Sequence, residues 1–216
     1  MSTASLIARR LLEAGAVKLQ PSEPFTWASG LRSPIYCDNR VLLSYPTVRT
    51  EVVAGLVELA GQFPGIEGIA GVATAGIPHG ALLADRLGLP FVYIRSKAKE
   101  HGQQNQIEGR IEPGQRYLVV EDLISTGGSA LQAIAALRAA GGEAIGALAI
   151  FSYEFPAAVR AFEQADVPLA TLSNYSSLLA EAAREGQIAK AEAEALTEWA
   201  SDPRAWSDAF SAARQA

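Results

Sequence analysis

The feature that most constrains this chain is a series of short, almost wholly apolar segments separated by helical patterns. Ile66 to Ala73, Phe91 to Ile94, Tyr117 to Val120 and Ala144 to Phe151 read as strands that are apolar at consecutive rather than alternate positions. Successive side chains on a strand point to opposite faces, so such a strand must be covered on both. Pro46 to Phe63, Gly76 to Leu87, Ser129 to Ala140 and Pro156 to Ala165 read as the intervening helices. In the first of these, Val48, Val52, Leu56 and Leu59 form the buried stripe and Pro46 sits where a missing N–H does little harm. Strands buried on both faces and alternating with helices predict an α/β fold with a parallel sheet.

Around this core, residues 4–15 read as an amphipathic helix ended by Gly15. Residues 18–45 read as irregular, broken by Pro21, Pro24, Gly30 and Pro34. Leu169 to Leu172 reads as a last short strand, and 175–216 as helical. The expected organisation is one domain: an N-terminal cap over 1–45, an α/β core over 46–172 and a helical extension over 173–216. Residues 95–114 fit neither period and hold Arg95, Lys97, Lys99 and His101 in an otherwise acidic chain. A long irregular connection inside a compact domain is usually either functional or disordered.

The 216 residues carry a net charge of −5 with 49% hydrophobic residues, the balance of a globular protein with no electrostatic pull toward nucleic acid or an anionic membrane. The longest apolar runs are too short to cross a bilayer. The start of the chain lacks the pattern of a signal peptide, and a single cysteine, Cys37, rules out an intrachain disulfide. A cytoplasmic protein is expected. Cys37 has no flanking cation to activate it and reads as a small buried residue. His79 reads as structural, and Trp27, Trp199 and Trp206 as packing.

The sharpest local signal is Val119-Val120-Glu121-Asp122-Leu123-Ile124-Ser125-Thr126-Gly127-Gly128-Ser129-Ala130. A buried strand delivers two adjacent acids to its C-terminal end, where open α/β sheets bind ligands. Residues 125–129 then offer backbone N–H groups, close approach through the glycines, and hydroxyls from Ser125, Thr126 and Ser129. The helix that begins near Ser129 adds its unpaired amides and positive dipole end. Glu121 and Asp122 would repel a bare phosphate but accept hydrogen bonds from sugar hydroxyls. An anion cradle beside two acids points to a ribose phosphate. The loop is neither a Walker loop nor a dinucleotide-binding turn.

This segment resembles the phosphoribosyl pyrophosphate signature of the type I phosphoribosyltransferases. Three more segments are similar to the orotate phosphoribosyltransferases in particular: Phe25 to Arg40, with its Ser29-Gly30-Leu31-Arg32-Ser33-Pro34 core; Gly71 to Pro78, like the pyrophosphate loop; and Arg95 to Gly102, like the catalytic loop. The four occur in the family's order. The resemblance implies the type I fold, with an N-terminal hood on the parallel sheet. It also implies transfer of a phosphoribosyl group to orotate, Mg²⁺ held mainly through substrate and water, and a homodimer sharing the 95–109 loop across its interface. For the donor it implies Thr74, Ala75, Arg95, Lys99, His101, Glu121, Asp122, Leu123, Ile124, Ser125, Thr126, Gly127, Gly128 and Ser129. Arg95, Lys99 and His101 would act as catalytic cations, aimed at the departing pyrophosphate in a site closed to water. For the base, Ser125 is a candidate hydrogen-bond partner. Tyr36 is either a ring over the base or a core aromatic.

The chain departs from the pattern common in that family at four places: Ala28 and Ala75 where lysines are frequent, Ser96 after Arg95, and the stretch Ser152-Tyr153-Glu154 where some members place an arginine for the carboxylate of the base. Arg32 is a candidate substitute. Two alternatives stay open: a purine-base phosphoribosyltransferase, and a non-catalytic regulator sensing the same donor. The 25–40 segment weighs against the first, and the intact lysine and histidine of the 95–102 loop against the second.

Overall fold

A computed structural model describes residues 2–27, 29–96 and 106–213. The chain starts in helix α1 (Thr3–Glu13), whose N-cap Ser2 accepts the amide of Ser5 on its hydroxyl at 3.2 Å. Four short strands follow: β1 (Val17–Leu19), β2 (Phe25–Thr26), β3 (Arg32–Ser33) and β4 (Ile35–Cys37). β1 pairs with β4 and β2 with β3, both antiparallel, before a 3₁₀ turn at Asn39–Ser44. The expected irregular stretch is therefore a pair of small ribbons. Strands of two or three residues are too short to display a period.

The core proceeds through α2 (Pro46–Ala60), β5 (Gly68–Val72), α3 (Gly76–Leu87), β6 (Phe91–Ile94), β7 (Ile107–Glu108), β8 (Arg116–Ile124), α4 (Gly128–Ala139), β9 (Glu143–Ser152), α5 (Pro156–Gln164) and β10 (Leu169–Asn174). Three helices close it: α6 (Tyr175–Arg184), α7 (Lys190–Ser201) and α8 (Pro203–Ala213). Among the described residues the main sheet runs β10-β9-β8-β5-β6-β7. It is parallel except at the β7 edge, which pairs antiparallel to β6. β7 lies within the segment expected to hold no strand. It forms because Ile107 pairs opposite Ile94 and is buried there.

Both faces of the sheet are dry. Leu118, Val120, Leu148 and Ile150 pack with residues of α1, α2, α3, α6 and α7 on one side. Val119, Ala147 and Ala149 pack with Ala130, Ile134 and Leu137 of α4 and with Phe162 of α5 on the other. Consecutive apolar residues thus feed opposite cores, which is why β8 and β9 lack a polar alternation. α3 sits very close to the sheet. A Cβ on Gly76 would collide with the carbonyl oxygen of Val120, so only glycine permits that approach.

Candidate active site

The site is built on the C-terminal end of β8. This strand continues four residues past Val120, so Glu121 to Ile124 are strand rather than loop. Glu121 aligns with Ala149, Leu123 with Phe151 and Ile124 with Ser152 on β9. Ile124 is buried in one core, and Leu123 packs against the other. Any contact that these two make to a ligand must come from the backbone or the strand edge.

Glu121 and Asp122 form a tight acid pair. The amide of Asp122 donates to Glu121 Oε1 at 3.1 Å. Burial, reinforced by the neighbouring Asp122 charge, pushes Glu121 far above the ordinary carboxylate range. Burial also raises Asp122, against the pull of Arg40 and of local hydrogen bonds. Burial thus works against full charge on both members of the pair at once. Two carboxyl groups side by side offer acceptor oxygens to a pair of neighbouring hydroxyls.

Beyond Ile124 the turn is short. Ser125, Thr126 and Gly127 lead into α4, which begins at Gly128, one residue before the expected start. Gly127 is the N-cap at φ +81°, and a Cβ there would meet Phe162 Cε2 at 2.8 Å. Among the described residues no side chain caps this helix, and first-turn amides have no intrahelical acceptor. A hollow of about 270 Å³ lies against them, lined by Leu123 to Ala130 and Gln132. Amides, hydroxyls and the helix dipole thus converge on one anion-sized space.

The pyrophosphate-loop candidates lie one strand over. Thr74 is exposed and Ala75 half-buried in the turn between β5 and α3. Arg95 follows β6, exchanges two hydrogen bonds with Gln106, and places its guanidinium 3.7 Å from Glu108. Arg95, Ser96, Ala73 and Ser129 share a small cavity, so the loop after β6 and the start of α4 face each other. Lys99, His101 and Ala28 lie outside the described residues.

From the N-terminal ribbons, Asn39 reaches the sheet. It is fully buried, and its side-chain amide donates to the carbonyl of Asp122 at 2.7 Å. The Cys37 thiol donates to Asn39 Oδ1 at 3.3 Å. Burial and the nearby carboxylates of Asp122 and Asp38 push that thiol well above its usual pKa, which disfavours the thiolate. Tyr36 is 42% exposed, which overturns the core-aromatic reading and leaves its ring free at the surface, tilted against Phe25. Arg32 donates from Nη1 to Thr26 Oγ1 at 2.8 Å, and its backbone amide donates to Ser207 Oγ of α8 at 3.0 Å.

On the β9 side of the turn opens a larger cleft of about 660 Å³. Ser125 and Thr126 form one wall, Trp27, Ser29 and Leu31 another, and Phe155 and Arg160 a third. The corner between α7 and α8, including Arg204, completes it. Arg32 does not line this space. Sequence reasoning missed Leu31, Phe155, Arg160 and Arg204, and assigned Trp27 to packing. Trp27 does both: its ring lies 5.9 Å from Trp199 while its residue borders the cleft. Nothing in a helical tail marks a cleft-lining arginine; only the return of α8 onto β3 brings it there.

Comparison with known proteins agrees with this architecture. Residues 66–167 match the phosphoribosyl transferase domain family. The chain is 55% identical to an orotate phosphoribosyltransferase of Streptococcus sanguinis over 95% of its length and 99% of the relative's. It is 56% identical to one of Bacillus cereus, over 93% and 97% respectively. Among solved structures it superimposes on the orotate phosphoribosyltransferase of Aeropyrum pernix with a TM-score of 0.73 at 31% identity, covering 85% of this chain and 99% of that one. The fold is shared with the Leishmania donovani UMP synthase at a TM-score of 0.79 and 24% identity, over 91% of this chain and 42% of the other. With more than half of the residues identical over nearly the full length of both chains, this protein belongs to the orotate phosphoribosyltransferase family.

Proposed function

We propose that the protein transfers the 5-phosphoribosyl group from phosphoribosyl pyrophosphate to orotate, giving orotidine 5′-phosphate and pyrophosphate in pyrimidine biosynthesis. The observation that carries this reading is the near full-length identity to enzymes of that name, joined to an acid pair and an uncapped helix N-terminus at the end of β8.

In this reading the amides and hydroxyls from Ser125 to Ser129 hold the 5′-phosphate. Glu121 and Asp122 bind the ribose hydroxyls. A ring nitrogen of the base forms a bond to the anomeric carbon as the bond to the pyrophosphate oxygen breaks; the electron pair departs with pyrophosphate, and the nitrogen's proton passes to water or to the pyrophosphate oxygens. Charge therefore builds up on the leaving group, and Arg95, Lys99 and His101 are the cations assigned to meet it, with Thr74 and Ala75 offering backbone contacts. Tyr36, whose ring is exposed, is the hood residue assigned to the base in this reading.

Mg²⁺ is the cofactor in this proposal. Among the described residues no group of three or more His, Cys, Asp or Glu side chains stands together. A Mg²⁺ ion would therefore take most of its oxygens from the diphosphate and water, neutralising charge as the bond breaks. The working form is inferred to be a cytoplasmic homodimer that shares the 95–109 loop. Among the described residues no helix is long and apolar enough to cross a membrane.

Turnover with the donor and orotate, hypoxanthine or adenine tests the reaction, with pyrophosphate release as the signal. Product from orotate alone is expected. Donor binding without pyrophosphate release would turn the assignment to a regulator. Lys99→Ala should lower kcat by at least ~100-fold while changing donor affinity much less, because its charge counts most in the transition state. Chelation should abolish turnover and added Mg²⁺ restore it. Restored activity on mixing Lys99→Ala with Glu121→Gln protein would support the shared loop.

A further inference from the structure

Orotate differs from uracil by a ring carboxylate, so selectivity for it calls for a fixed cation at the base end of the site. The position after β9 does not provide one. Glu154 stands there at φ 57°, and its carboxylate accepts from the backbone amide and hydroxyl of Ser176 at the start of α6, at 2.9 and 2.6 Å. It is turned toward α6 and does not line the cleft beside Ser125. Arg32, the other candidate, is engaged with Thr26 and also lies outside the cleft lining.

Resting on the orotate reading above, we propose that Arg160 of α5 and Arg204 of α8 form the carboxylate-recognition site for the base. Both line the cleft that opens beside Ser125, and they are the cations among its lining residues. Neither has an ion-pair or hydrogen-bond partner among the described residues. Asp202 at the same corner has Oδ1 engaged by the amide of Ala205 at 3.0 Å, capping α8. Trp27, Leu31 and Phe155 give the cleft apolar surface, beside the small polar side chains of Ser29 and Ser201. A flat ring against apolar side chains with its carboxylate toward two guanidinium forks is the arrangement such a cleft favours. The site then depends on the C-terminal extension, which the anchoring of Trp199 and Ser207 holds against the hood.

The test compares wild type with Arg160→Gln, Arg204→Gln and the double variant. Steady-state KM is measured for each substrate, with uracil as a competitor that lacks the carboxylate and a thermal melt to check folding. Each single change should raise the orotate KM roughly tenfold, and the double change more, by the usual strength of a charge-assisted hydrogen bond. The donor KM, uracil inhibition and melting temperature should hold. Unchanged orotate KM in the double variant of an orotate-active enzyme would overturn the proposal. So would a rise confined to the donor KM, which would assign the arginines to phosphate. Lack of orotate turnover by the wild type would instead sink the function reading itself.

Discussion

The side-chain amide of Asn39 donates to the main-chain carbonyl of Asp122 across 2.7 Å, tying the N-terminal hood to the strand that carries the acid pair. β5 pairs with β8 only as far as Val120, and the Asp122 carbonyl takes its bond from Asn39 instead of from a strand. The hood is thereby fixed to the backbone of a residue assigned to the ribose. Asn39→Ala would leave a buried acceptor unpaired, at a cost of about 1–3 kcal/mol. Urea denaturation should show that loss, and kcat/KM for the donor should fall with it. A variant of unaltered stability and donor kinetics would remove Asn39 from this role.

Gly127 is a second point where backbone geometry holds the site. At φ +81° with Phe162 Cε2 at 2.8 Å from a virtual Cβ, alanine is both strained and crowded. Gly127→Ala should cost about 1–3 kcal/mol and displace the first turn of α4. The expected signature is a donor KM raised roughly tenfold or more, with the orotate KM less affected, measured by varying each substrate at saturation of the other. Equal effects on the two substrates would mean a general loss of structure.

His79 in α3 is fully buried, and among the described residues neither ring nitrogen has a hydrogen-bond partner. Burial lowers its pKa from 6.5 to about 4. The unfolded chain takes up the proton near the higher value, and the native state only near the lower. Between those values the unfolded state binds more protons, so stability rises with pH through the window and is lost as pH falls through it. The full loss is roughly 3 kcal/mol. His79→Leu should flatten this part of the stability–pH curve. Parallel curves for the two proteins from pH 7 down to about pH 4 would show that the native state accepts the proton at no cost.

Trp199 anchors the C-terminal extension. Its fully buried ring lies 5.4–5.9 Å from those of Phe155, Tyr175, Tyr153 and Trp27. Truncation to alanine should cost about 3–5 kcal/mol. The corner between α7 and α8 borders the cleft, so the orotate KM should rise more than the donor KM. Trp199→Phe should recover most of both. Equal change in the two KM values would place the effect in global stability alone.

Much of this protein was legible in its sequence because the deciding interactions are local. Consecutive apolar residues in β5, β8 and β9 require burial on both faces, and that requirement yields the parallel sheet. The acid pair followed by Ser125-Thr126-Gly127-Gly128-Ser129 marks its own chemistry, since the backbone needs glycines where an anion comes close. Tertiary structure decided what depends on distant segments meeting. It carried β8 on to Ile124 by pairing with β9, formed β7 from two residues at the sheet edge, and turned Tyr36 outward. It also brought Trp27, Arg160 and Arg204 around one cleft, although 177 positions separate the first from the last. No periodicity encodes such a meeting. It follows from α8 folding back onto β3, a contact determined by packing and not by any pattern within either segment.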